Sequence, residues 1–232
     1  MCDALSHAIR EQRKQGGLGV IAELKRHRPG KGDLFRGRSP TEIASVYRSA
    51  GVTALSVVTS PWFGGSMRIL EEVVAADLGL PILRKDLIQT EKAVEASKRA
   101  GASAVLLVLP LLGRERVVAM LHAAREASLE PFVEVASRQE INELRAIYEG
   151  IIAINNADIQ TSEIEGEDIA RSVALIERKD PRLWVSASRI GGPEEVHALA
   201  AAGFDGILVG THLLLADDLL AATTRMVAAA RA

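Results

Sequence analysis

Ala100-Gly101-Ala102-Ser103-Ala104-Val105 reads as the end of a helix followed by the start of a strand. The glycine can take the left-handed conformation that terminates a helix, and an apolar run begins three residues later. The same form recurs at Ala50-Gly51-Val52-Thr53-Ala54-Leu55 and at Ala202-Gly203-Phe204-Asp205-Gly206-Ile207. Three copies of one helix-to-strand turn indicate a repeated αβ unit. Outward from these turns, eight short apolar, β-branched runs appear: Leu18–Ala22, Ala54–Val58, Pro81–Leu83, Ala104–Leu109, Pro131–Val135, Ile151–Ile154, Leu183–Ser186 and Gly206–Val209. Runs this apolar are buried on both faces, as parallel strands covered by helices are. Segments with helical periodicity lie between them, such as Glu91–Arg99, Asn142–Tyr148 and Glu194–Ala201.

Helix starts are marked as well. Ser39-Pro40-Thr41-Glu42 has an N-cap serine, proline at the first helical position and glutamate at the third, which is a capping box. Gly192-Pro193-Glu194-Glu195 is similar, with acidic residues where the helix dipole favours them. Eight βα units in 232 residues predict an α/β fold, a (β/α)8 TIM barrel in a single domain over residues 1–232, with 1–17 as a short N-terminal helical lead-in. An open doubly wound sheet fits less well, because no Gly-x-Gly-x-x-Gly follows the first run.

Composition narrows the function classes. The net charge of −2 gives no case for nucleic-acid binding. With aromatics at only 3%, Ala, Val, Leu and Ile must fill the core. Cys2 is the only cysteine, which excludes an internal disulfide and a multi-cysteine metal site. No segment has the apolar length of a membrane span, and Met1 to Gln15 lacks the apolar core of a signal peptide. A cytoplasmic globular protein, monomer or homodimer, is the expectation.

In such a barrel, chemistry sits at the C-terminal ends of the strands. The first run leads into Glu23-Leu24-Lys25, and the strand period of two puts Glu23 and Lys25 on one face. The third ends in Arg84-Lys85-Asp86, the fifth carries Glu134, and the sixth ends in Asn155-Asn156. The seventh ends in Ser186 and Ser188, the eighth in Gly210-Thr211. Taken singly, Glu23 with Lys25 can be a structural ion pair, Lys85 a rim charge bonded to Asp86, and the asparagines turn formers. Glu134, between Val133 and Val135, is harder to explain structurally, since carboxylates are rarely buried unpaired. Two lysines and two glutamates converging on one barrel mouth can supply a carboxylate base and an ammonium acid. Ser188-Arg189-Ile190-Gly191-Gly192 and Val209-Gly210-Thr211-His212 follow the last two strands, where barrels often hold phosphate. The basic loop Arg26-His27-Arg28-Pro29-Gly30-Lys31-Gly32 adds a second cationic segment.

These residues carry a resemblance. Ile21-Ala22-Glu23-Leu24-Lys25-Arg26, Pro29-Gly30-Lys31-Gly32, Ala54-Leu55-Ser56-Val57-Val58-Thr59, Phe63-Gly64-Gly65-Ser66, Leu83-Arg84-Lys85-Asp86, Val133-Glu134-Val135, Ile154-Asn155-Asn156 and Val209-Gly210-Thr211 follow one another in the order found in indole-3-glycerol-phosphate synthase. The chain resembles that family over almost its whole length. The resemblance implies ring closure of 1-(2-carboxyphenylamino)-1-deoxyribulose 5-phosphate, with loss of CO2 and water, to indole-3-glycerol phosphate. It implies a small phosphorylated substrate and neither metal nor organic cofactor. It assigns Lys85 as the general acid on the ketose carbonyl oxygen and Glu134 as the base that completes dehydration. Lys25 and Glu23 become a second acid and its partner, and Asn155 an orienting amide. Ser188 and Gly210-Thr211 become the phosphate grip. Phe63, Leu107 and Leu109 are candidates for the apolar slot of the aryl ring, as far as strand parity admits them.

The chain also departs from the family pattern. Ser-Glu-Ser-Gly becomes Ser186-Ala187-Ser188-Arg189, Asn-x-Arg becomes Asn155-Asn156-Ala157, and Ser-Pro-Ser becomes Arg28-Pro29-Gly30. Leu87 stands where an aromatic is usual, and 17 residues precede the first run in this sequence, where the family usually has a further helical extension. Arg28 and Arg189 are therefore candidates for altered substrate contacts. Two alternatives follow: a paralogue with the same acid–base core acting on another aryl or amine sugar-phosphate adduct, or a Schiff-base aldolase using Lys85 or Lys25.

Overall fold

The computed structural model describes residues 3–157, 169–177 and 179–232; Cys2 lies outside them. Eight parallel strands close into a barrel: β1 (Gly19–Leu24), β2 (Ala54–Val58), β3 (Ile82–Lys85), β4 (Ala104–Val108), β5 (Glu130–Val135), β6 (Ile151–Asn155), β7 (Leu183–Ala187) and β8 (Gly206–Val209). Each pairs with its sequence neighbours, and β1 closes on β8 with Ile21 opposite Leu208. Every barrel-strand residue but Lys85 is buried, which is why the runs read as continuously apolar. All eight predicted runs are strands. β3 extends past its run to Lys85 and β6 to Asn155, so the charged and amide ends belong to the ladder.

The connecting helices are α2 (Pro40–Ser49), α3 (Met67–Ala75), α4 (Glu91–Arg99), α5 (Leu109–Glu126), α6 (Arg138–Arg145), α7 (Ala170–Leu175) and α8 (Pro193–Ala202), with α9 (Thr211–Leu215) and α10 (Leu219–Ala230) after β8. Gly51, Gly101 and Gly203 all take positive φ, as the repeated turn requires. The capping box at Ser39 is complete: Ser39 Oγ accepts from the Glu42 N–H, and the Ser39 N–H donates to Glu42 Oε2 at 2.7 Å. The helix expected over Asn142–Tyr148 is displaced. Ser137 caps it and starts it earlier, and it ends at Arg145. Tyr148 instead packs into the wall, its hydroxyl donating to the Pro131 carbonyl and accepting from the Ile151 N–H.

Strand parity separates two cores. Ile21, Leu83, Leu106, Phe132, Ala153, Val185 and Leu208 fill the barrel interior, whereas Val57, Val105, Val133, Ile152 and Ile207 pack outward against the helices. Helix α1 (Ala4–Lys14) precedes the barrel and closes its lower end. Leu5 and Ile9 are fully buried in the interior cluster. Glu130, at the start of β5, accepts from the Leu5 N–H at 2.9 Å and the Ser6 N–H at 3.1 Å, satisfying donors that a helix start leaves open. With the bottom sealed, the opposite end is the open one.

Candidate active site

The interior parity that places Ile21 in the core brings Glu23 of β1, and Lys25 just past its end, to the upper rim. Lys85 of β3, Glu134 of β5 and Asn155 of β6 arrive at the same level from around the ring. They line a cavity of about 700 Å³ at the C-terminal ends of the strands. That volume suits a ligand of drug-like size.

Glu23 is 3% exposed and lies between two ammonium groups, with Lys25 Nζ 3.6 Å from Oε1 and Lys85 Nζ 3.4 Å from Oε2. Burial pushes its carboxyl up, but Lys85 and Lys25 outweigh that and hold it below the usual carboxylate value. Gly210 makes this packing possible: a Cβ there would meet the Glu23 Cβ at 2.8 Å. Gly210 thus seats Glu23 besides forming the turn after β8. Lys25 Nζ also lies 5.4 Å from the centre of the Phe63 ring, a cation–π distance. Phe63 reaches it from the 3-10 turn Pro61–Phe63, which folds back because Gly65 lies against the Val58 carbonyl, where any side chain would collide.

Across the cavity Glu134, also 3% exposed, accepts from Asn155 Nδ2 at 2.9 Å. Asn155 Oδ1 in turn accepts from the Ala157 N–H at 2.9 Å, so the amide's orientation is fixed at both ends. Arg171 of α7 holds the end of β6 by donating to the carbonyls of Asn155 and Ala157, both at 2.8 Å. Asn156 has the opposite parity and a structural task. Its amide donates to Ser186 Oγ and to the carbonyls of Ala187 and Ser188, while its oxygen accepts from the Ser172 N–H. Ser186 likewise faces Ser172 in the helical layer, at 2.8 Å, and not the cavity.

The structural reading of Lys85 as a charge bonded to Asp86 does not hold. Asp86 Oδ2 takes Thr59 Oγ1 at 2.7 Å and Arg84 Nη2 at 3.0 Å, and Lys85 turns inward to Glu23. Leu107 and Leu109 are corrected too. Both belong to the outer core, and Leu106, Val108 and Leu111 line the cavity in their place. The remaining predicted residues, Arg28, Ser188, Arg189 and Thr211, all reach the wall. Ser188 and Arg189 do so in left-handed backbone, with φ of 68° and 59°. Two successive non-glycine residues there store strain of a kind that clusters at functional sites.

Sequence reading missed the apolar collar. Of six large apolar side chains that stand exposed among the described residues, four ring this mouth: Trp62, Leu87, Leu111 and Leu215. Gly113, at φ 70° and ψ 164°, breaks α5 and lets Leu109-Pro110-Leu111-Leu112 form a separate turn at the rim. No cluster of His, Cys, Asp or Glu among the described residues is arranged to hold a metal ion. No helix among them is long and apolar enough to cross a membrane.

The family model described as indole-3-glycerol phosphate synthase matches residues 2–226. Among curated relatives of that name, one from Thermococcus kodakarensis is 38% identical over 221 residues, covering 94% of this chain and 94% of its own length. Another, from Carboxydothermus hydrogenoformans, is 35% identical over 216 residues, covering 93% of this chain and 81% of the relative. Indole-3-glycerol phosphate synthase 2 of Streptomyces coelicolor is 34% identical over 206 residues, 88% of this chain and 79% of the relative.

Proposed function

The chain belongs to the indole-3-glycerol-phosphate synthase family, and from that premise we propose how its cavity carries out the carboxy-lyase and ring-closing reaction. The substrate is 1-(2-carboxyphenylamino)-1-deoxyribulose 5-phosphate. The ring carbon bearing the carboxylate attacks the ketose carbonyl carbon, whose oxygen takes a proton as the C–O π bond opens. CO2 then leaves with its bonding electrons returning to the ring, and loss of the new hydroxyl as water gives the indole.

Lys85 is the acid for the carbonyl oxygen. It is partly exposed toward the cavity and is tethered to Glu23, so its donor hydrogens are aimed without being buried. Glu134 is the base for the later proton loss, held by Asn155 on the opposite wall. Lys25, paired with Glu23 and lying near Phe63, supports protonation of the leaving hydroxyl. Positioned acid and base groups of this kind contribute about 10²–10⁴-fold each. Ser188, Arg189 and the Gly210-Thr211 turn serve the phosphate, and Phe63 with the apolar rim receives the aryl ring. Arg28 adds a cation on the first loop.

The observation that carries this reading is Glu23 buried between Lys25 and Lys85, opposite Glu134, in one cavity. Purified protein should convert the carboxyphenylamino substrate with the rise of indole fluorescence, and Lys85→Ala should slow it about 10²–10⁴-fold. Turnover left unchanged by Lys85→Ala would sink the assignment of the acid.

One observation favours a second reading, a different aryl component. Ala187 and Ala157 are buried and uncharged beside the ends of β6 and β7, and Arg189 occupies strained backbone at the wall. A substrate analogue lacking the ring carboxylate, tested for binding, separates the two readings. Tighter binding of the analogue supports the altered pocket.

A further inference from the structure

The geometry points to Arg84 as a positioning residue for Lys85, acting by holding the neighbouring Asp86 carboxylate away from it. This rests on the assignment of Lys85 as the acid. Arg84, Lys85 and Asp86 are consecutive, and parity sends the first outward and the second inward. Arg84 is 7% exposed beneath α4. Its guanidinium uses nearly every donor it has: Nε to Thr59 Oγ1 at 2.9 Å, Nη1 to the Ala93 carbonyl and to Ser97 Oγ, each at 3.0 Å, and Nη2 to Asp86 Oδ2 at 3.0 Å. Thr59 completes the loop by donating to the same Asp86 oxygen at 2.7 Å, and its N–H bonds the Lys85 carbonyl at 3.0 Å. The other Asp86 oxygen accepts from the Leu87 N–H at 2.9 Å. Residues 84 and 86 are thus pinned to Thr59, just past β2, and to α4, and the backbone of Lys85 is pinned with them.

The same clamp sets the charge environment. Asp86 lines the cavity next to Lys85, and a carboxylate released there would compete with Glu23 for the ammonium. Among the described residues, the other charged or titratable groups lining that cavity are Glu23, Lys25, Glu134, Arg28, Lys31, Arg189 and His212. With Asp86 committed to Arg84, the neighbouring carboxylate does not compete for the 3.4 Å contact between Lys85 and Glu23. A lysine in place of Arg84 keeps the charge but cannot reach Thr59, Ser97 and Asp86 together, because only the planar fork does so.

The test uses the full chain and the pH dependence of kcat/KM with the carboxyphenylamino substrate. Arg84→Lys should lower kcat about tenfold or more, as misplacement of a reacting group does, with KM changed much less. Its alkaline limb should move to higher pH, since a nearby free carboxylate favours the charged form of an ammonium. Arg84→Lys combined with Asp86→Asn should return the limb to the wild-type position while kcat stays low. Thr59→Val, which removes one of the two side-chain bonds to that Asp86 oxygen and is the fallback where Arg84→Lys does not fold, should shift the limb in the same direction by less. A limb that stays in place in both Arg84→Lys and Thr59→Val, with only melting temperature lowered, overturns the inference and leaves the clamp merely structural. Unchanged turnover in Lys85→Ala instead overturns the underlying assignment of the acid, whatever the clamp variants do.

Discussion

Glu130 and Glu134 stand on the same strand, on the same inward face, and both are almost completely buried, yet they belong to opposite ends of the barrel. At the lower end Glu130 is answered by backbone: the Leu5 and Ser6 N–H groups of α1 occupy its oxygens, and Leu5 and Ile9 seal the space around it. At the upper end Glu134 accepts from the side-chain amide of Asn155 and opens on a cavity shared with Glu23, Lys25 and Lys85. Burial of a carboxylate is common to both and does not mark function. What differs is the setting: at one end the donors are backbone groups that complete a helix start, at the other a side-chain amide on the wall of a ligand-sized cavity.

Four substitutions bear on that contrast. Glu134→Gln keeps an oxygen for Asn155 and should cut turnover about 10²–10⁴-fold. Its melting temperature should stay within about 2–4 °C of wild type, the shift that 1 kcal/mol gives in a chain of this size. A large stability loss in this variant would erase the difference between the two ends. Leu5→Ala should do the reverse. It should destabilise the fold by about 2–5 kcal/mol, as emptying a core position does, and leave kcat of the folded enzyme unchanged in a steady-state assay.

The smallest effect is in pH dependence, and it has opposite sign at the two ends. Burial pushes the Glu130 carboxyl up more than the Ser6 and Leu5 bonds pull it down. The folded state then holds its proton more tightly than the unfolded chain, so this group's contribution falls as pH rises from the ordinary carboxylate value through the raised one. Glu23 is held down by its lysines, so its contribution is present above the ordinary value and is lost as pH falls through the lowered one. Denaturant titrations across acid pH should therefore show Glu130→Gln and Glu23→Gln altering the slope in opposite directions. The same direction in both would mean that the two carboxylates are held alike.

Much of this was legible in the chain because barrel strands are apolar on both faces and announce themselves as runs. Parity also placed Glu23 with Lys25 correctly, since two charges in a buried strand must seek the same opening. Parity failed where both faces are apolar: nothing local distinguishes Leu107 from Leu106, and the inward pair was Leu106 and Val108. The two asparagines were separable in principle, because Asn155 and Asn156 must point oppositely, but which one reached the cavity depended on the strand's exact register. The collar of Trp62, Leu87, Leu111 and Leu215 gave no signal, since exposure of an apolar side chain depends on what fails to cover it. The Arg84–Asp86–Thr59 clamp was hidden for a different reason. It joins the ends of two strands to a helix, and no window of sequence contains all three.

The seat of Glu23 against Gly210 has a consequence for biosynthesis. β1 is made first and β8 last, and their pairing, Ile21 with Leu208, shuts the ring. Leu18 likewise bonds to the carbonyl of Ala230, near the other end of the chain. Contacts between such distant segments form late, since the intervening loop must be ordered before they gain anything. A chain still emerging from the ribosome can stack most of its βα units, but it holds Glu23 without its neighbour. A product shortened before β8 would have Lys85 and Glu134 but would lack the Gly210 wall against which Glu23 is packed.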